Sequence, residues 1–115
     1  MRYSIVYALT RPDAGEKISV GLVTLGEDIV KYTYSRRKLD IAASLLSKAC
    51  GEVLVRIVET FEENAVKGRS VDEMIRELNY LSRNSNNHFT VSAPRTVDVE
   101  WSEEQADVLA REYVG

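Results

Sequence analysis

Arg2-Tyr3-Ser4-Ile5-Val6-Tyr7-Ala8-Leu9-Thr10 opens the run of segments whose reading decides the fold. Tyr3, Ile5, Tyr7 and Leu9 alternate with Arg2, Ser4, Val6 and Ala8, and a period of two is the signature of a strand. In Arg11-Pro12-Asp13-Ala14-Gly15-Glu16, proline presets one backbone angle and glycine permits a positive one, so the chain can reverse there. Ile18-Ser19-Val20-Gly21-Leu22-Val23-Thr24-Leu25 is apolar on both alternating faces, as expected of a central strand covered on one side and crowded on the other. Gly26-Glu27-Asp28 turns the chain into a third alternating segment, Ile29 to Tyr34. The first third of the chain therefore reads as a three-stranded antiparallel meander.

Downstream the period becomes helical. Ser35 suits an N-cap, because its hydroxyl can accept a free first-turn amide, and Leu39, Ala42, Ala43 and Leu46 follow at helical spacing. Val53, Leu54, Ile57, Val58 and Phe61 form a second stripe opposite Glu52, Arg56, Glu59 and Glu63, with Gly51 marking a break or kink and Gly68 an end. Ser70-Val71-Asp72-Glu73 matches a capping box before the stripe Val71, Met74, Ile75, Leu78 and Leu81. His88 to Ala93 alternates again, and Pro94, which lacks a donor, places that strand at a sheet edge beside the first strand. Ser102-Glu103-Glu104-Gln105 is a second capping box, followed by Ala106, Leu109, Ala110 and Tyr113. The order βββαααβα over residues 1–115 predicts one α+β domain: a three-stranded antiparallel meander, a late edge strand, and four helices packed mainly on one face.

The 115 residues are 44% hydrophobic and 29% charged, which excludes disordered, collagen-like and disulfide-scaffold chains. A chain of this size removes roughly two-thirds of its unfolded surface from water, enough for one core. Fifteen Lys plus Arg against eighteen Asp plus Glu give a net charge of -3, so no overall positive field gathers nucleic acid or an anionic membrane. No stretch approaches the ~20 apolar residues of a membrane span, and Met1 to Tyr7 lacks a signal peptide's apolar region, so a cytoplasmic location without membrane contact is expected. Cys50, the single cysteine, reads as a small buried hydrophobe beside Ala49, Val53 and Leu54.

Gly15-Glu16-Lys17-Ile18-Ser19-Val20-Gly21-Leu22-Val23 resembles the opening hairpin of an uncharacterised bacterial family of short domain-of-unknown-function proteins, whose motif there is Gly-Glu-x-x-Asn-x-Gly-Val. Ser19 stands where that family usually has Asn. Arg37 and Leu39, the stretch Phe89 to Arg95, and the closing Leu109-Ala-Arg-Glu-Tyr113-Val114 agree in order with the same family. Some of its members are encoded beside HipA-like kinases, so the resemblance implies a protein partner of kinase-like, defence or toxin–antitoxin type.

Few residues are left to carry chemistry. His88 and Cys50 are the only histidine and cysteine, so a zinc site lacks ligands. There is no Walker loop, nucleophile elbow or dinucleotide fingerprint, and no cofactor is expected. A magnesium nuclease on Asp13, Glu16, Glu27 and Asp28 would need two loops at opposite ends of the second strand, roughly 25 Å apart at ~3.3 Å per residue, to converge. Arg36, Arg37 and Lys38, with Lys31, Tyr32 and Tyr34, place cations beside stacking rings as single-stranded nucleic acid requires. Three cations in a helix's first turn oppose its dipole, and Asp40 or a Glu of a neighbouring helix would compensate. Arg95 is expected near Arg11 if the late strand runs antiparallel to the first, and the two would hold a carboxylate or phosphate of a partner. Trp101, just before the last helix, reads as core or helix staple, with a partner hot spot as the other option. The leading expectation is a non-enzymatic protein-interaction module, with homodimerisation through an edge strand open to it. A nucleic-acid-associated protein is the alternative, and a small hydrolase or nuclease a third.

Overall fold

The alternation of the first segments becomes a sheet in the computed structural model, which describes residues 1–11, 14–84 and 88–115. Strands β1 (Arg2–Arg11), β2 (Glu16–Leu25) and β3 (Val30–Tyr34) form the antiparallel meander. Helices α1 (Arg36–Ser44) and α2 (Lys48–Phe61) follow; a single π-helical turn (Glu62–Val66) prolongs α2, and α3 spans Val71–Arg83. Short strands β4 (Phe89–Val91) and β5 (Arg95–Thr96) then run antiparallel along β1, and α4 (Glu103–Tyr113) closes the chain. The sheet order is β3-β2-β1-β4, with β5 continuing the β4 edge. The element order is the one the sequence predicts, with β5 as a small addition after Pro94.

Both faces of the sheet are covered, unequally. Val6, Ala8, Val20, Val23 and Leu25 join Leu39 and Ala42 of α1, Leu54, Val58 and Phe61 of α2, and Met74 and Leu78 of α3 in the larger core. Tyr3, Ile5 and Leu22 lie on the opposite face beneath Leu109 and Val114 at the end of the chain. Helices on one side and a single helix on the other explain why the central strand is apolar on both faces. A bulge adds to this: Val6 pairs with Gly21 but Tyr7 with Ser19, so Val20 is extra. Side-chain parity switches there, and even-numbered Ile18 and Val20 share the larger core with odd-numbered Val23 and Leu25.

Local chemistry fixes the helix ends. Ser70 Oγ accepts from Glu73 N at 3.2 Å while Glu73 Oε1 accepts from Ser70 N at 3.1 Å, the full capping box. Ser102 accepts from Gln105 N at 3.0 Å, the forward half of the second box. The break between α1 and α2 falls at residues 45–47, where Ser47 caps α2 through Cys50 N at 3.2 Å. Gly51 lies inside α2 and serves closeness rather than the break, since a Cβ there would stand 2.8 Å from the Ala43 carbonyl oxygen. On the β4–β5 edge, Ile5 N donates to Ser92 Oγ at 2.8 Å and Ser92 N to Ile5 O at 2.9 Å, so a side chain bridges the gap in the ladder before Pro94.

Ser4 sits in the sheet interior at 0% exposure, and its hydroxyl has no hydrogen-bond partner among the described residues. An unpaired buried hydroxyl costs about 1–3 kcal/mol of lost hydration. Ser4→Ala is therefore expected to raise the unfolding free energy by about 1 kcal/mol. Urea melts of both proteins check it, and a lower midpoint for the variant would contradict the burial account.

Candidate functional site

Where β2 ends, the chain turns through Gly26 to Ile29, with Gly26 N donating to Ile29 O at 2.8 Å. A Cβ on Gly26 would lie 2.8 Å from both Ile29 Cγ2 and Trp101 Cβ, so the absence of a side chain lets the indole close on this turn. Trp101 is held by its Nε1, which donates to Thr24 Oγ1 at 3.0 Å. The preceding loop is tied to the start of β1: Val97 N donates to Met1 O at 2.8 Å, and the Met1 ammonium donates to Val97 O at 3.0 Å and also to Val99 O. The first turns of α3 supply the facing wall.

These pieces enclose a cleft of about 480 Å³ at the end of the sheet. Its apolar surface is Leu25, Ile29, Val71, Ile75, Val99 and Trp101. Arg2, Glu27, Thr96 and Glu100 stand among them. Ile29 and Val99 are each 39% exposed, so the rim presents apolar side chains to water. A preformed apolar hollow with a few polar groups is the usual form of a binding site. Of the residues singled out from sequence, Trp101 and Glu27 belong to it. Ile29, Val71, Ile75 and Val99 come from segments far apart in the chain, and sequence reasoning missed them as a group; the alternation of apolar and acidic residues in Val97-Asp98-Val99-Glu100-Trp101 is a local signal that could have found Val99.

The basic and aromatic segment does not form one patch. Alternation along β3 sends Lys31 and Tyr32 to opposite faces of the sheet. Lys31 pairs with Glu103 and, at 3.6 Å, with Asp107 on α4; the Glu103 hydrogen bond, with help from Asp107, raises its pKa above the ordinary lysine value. Tyr32 turns to the core, where its hydroxyl donates to Val58 O at 2.9 Å and its ring lies 5.0 Å from that of Phe61; burial raises its pKa. Tyr34, 38% exposed, stacks on Tyr32 at 5.9 Å. Arg36 is held by Glu59 of α2 and by Asp40 at 3.2 Å, the compensation that the helix dipole calls for. Lys38 Nζ donates to Ser19 Oγ at 2.8 Å, and Ser19 in turn donates to Tyr113 O at 2.7 Å, so the lysine joins α1 to β2 and Ser19 ties β2 to the end of α4. Desolvation, and then the neighbouring Arg37, lower the Lys38 pKa. Arg37 is exposed and makes no ion pair among the described residues.

The expected meeting of Arg11 and Arg95 is corrected by the register. The late segment does run antiparallel to β1, but Phe89 lies opposite Ala8 and Arg95 opposite Tyr3. Arg11 is at the other end of β1, so the two guanidinium groups stand about eight residues of strand apart, on the order of 25 Å at ~3.3 Å per residue. Glu16 accepts from Thr10 Oγ1 at 3.0 Å, at the far end of β2 from Glu27 and Asp28. Asp13 lies outside the described residues. Among the described residues, no three His, Cys, Asp or Glu side chains gather as metal ligands, and no helix is long and apolar enough to cross a membrane. Cys50 is half-buried in the first turn of α2 rather than in the core.

Fold and surface together describe an α+β domain with an apolar cleft at one end of its sheet. No family model matches the chain, and neither a curated protein nor a solved structure matches it.

Proposed function

We propose that the chain is a non-catalytic protein-interaction module of the cytoplasm, and that the cleft beside Trp101 is its contact surface. One observation carries the reading: Ile29 and Val99 stand exposed on the rim of an already open apolar hollow. Apolar side chains held at such a rim gain free energy when a partner covers them. Trp101 is an anchor of the kind enriched at interface hot spots, and its Thr24 hydrogen bond fixes its ring before any partner arrives. The resemblance of the opening hairpin supports a kinase-like, defence or toxin–antitoxin protein as that partner.

Affinity capture of the tagged chain from its native host tests this. A stoichiometric partner is expected with the unaltered chain and with Arg36→Glu plus Arg37→Glu, and is expected to be lost with Ile29→Glu or Val99→Glu. Circular dichroism confirms that each variant is folded. Recovery of no stoichiometric partner, or a loss that follows Arg36 and Arg37 rather than the rim, would overturn the proposal.

A further inference from the structure

We infer that the segment received by the Trp101 cleft is basic as well as apolar: a short peptide stretch in which Lys or Arg flanks one bulky apolar side chain. The inference rests on the cleft being a docking surface and adds the charge of what docks. Two loops build the rim, Gly26 to Ile29 and Val97 to Trp101, and they carry Glu27, Asp28, Asp98 and Glu100. Glu27 and Glu100 line the hollow itself, while Asp28 and Asp98 are their neighbours in the same loops, and all four are exposed.

None of the four makes an ion pair among the described residues. Elsewhere on the surface the carboxylates that meet cations are engaged by them, as Glu59 and Asp40 are by Arg36 and Glu103 by Lys31. The Met1 ammonium, hydrogen-bonded to the neutral carbonyl oxygens of Val97 and Val99, keeps its charge, and with Arg2 it offsets two of the four carboxylates among the described residues. The rim therefore has an excess of negative charge over an apolar floor. Such a surface draws in an ammonium or guanidinium group, repels an acidic segment, and gains most of its affinity from the apolar side chain that enters. The volume, about 480 Å³, lies within the roughly 300–1,000 Å³ of compact ligand sites and suits one large side chain with its flanking residues.

Selection of random peptides displayed on phage against the immobilised protein tests the inference, followed by anisotropy titration of one selected peptide labelled with fluorescein. Selected sequences are expected to place Lys or Arg beside Leu, Phe or Trp. Glu27→Lys with Glu100→Lys is expected to weaken binding about tenfold at low salt, and binding to the unaltered protein to weaken as salt rises. Ile29→Glu is expected to weaken the same peptide. Selection of acidic or uncharged peptides, of no peptide, or of one indifferent to the Glu27 and Glu100 substitutions would overturn the basic-partner inference. The docking reading is judged separately: if Ile29→Glu still abolishes capture of the native partner, the cleft stands and only its charge preference falls.

Discussion

Phe61→Ala is expected to lower the unfolding free energy by about 3–5 kcal/mol, a large share of the roughly 5–15 kcal/mol that holds a domain of this kind. Phe61 is 5% exposed at the end of α2, where its ring lies 5.0 Å from Tyr32 on β3 and 5.4 Å from Phe89 on β4. One side chain thus joins a helix to strands at both edges of the sheet. Truncation removes that junction and leaves a hollow between a helix and two strands that ladder hydrogen bonds hold in place, so collapse around it is incomplete. Urea unfolding followed by circular dichroism reads the loss. A change below about 1 kcal/mol would show that the aromatic junction is not part of the core.

Gly51→Ala carries the second large effect, and its sign is the informative part. In an ordinary helix interior this exchange adds stability, by up to about 1 kcal/mol. Here the new Cβ would meet the Ala43 carbonyl oxygen at 2.8 Å, a backbone atom that cannot rotate away as a side-chain tip can. Helices α1 and α2 must then part, with a repacking cost of about 1–3 kcal/mol that outweighs the propensity gain. The substitution is expected to lower the urea midpoint, and Gly51→Val to lower it further. A higher midpoint for Gly51→Ala would mean that the two helices do not approach as closely as the structure shows.

Features set by neighbouring residues were legible in the sequence, and features set by register were not. The alternation from Arg2 to Thr10, the Ser70-x-x-Glu73 capping box and the donor missing at Pro94 each act within a few residues, and each placed its element. The extra residue at Val20 could not be read locally, because a bulge is a relation between two strands; its trace was a central strand apolar on both faces. Arg95 was misplaced for a different reason: antiparallel pairing itself carries later residues of the segment toward the start of β1, so with Phe89 opposite Ala8, Arg95 falls opposite Tyr3 and away from Arg11. The basic segment lost its unity through the very alternation that made it a strand, since Lys31 and Tyr32 cannot share a face. The cleft was the least legible feature: residues near 26, 71, 75 and 99 meet only after folding, and of its apolar lining Trp101 alone reads as a contact residue, the others reading as strand or helix-stripe positions.

The central claim is that the cleft beside Trp101 is where a partner sits, and the most direct measurement is site-specific photo-crosslinking in the native host. A photoreactive amino acid replaces Val99 on the rim in one strain and Tyr80, which is 56% exposed on α3, in another. A discrete protein adduct from position 99 and none from position 80 is the predicted result. Adducts from position 80 alone, or equal and diffuse labelling from both positions, would contradict it.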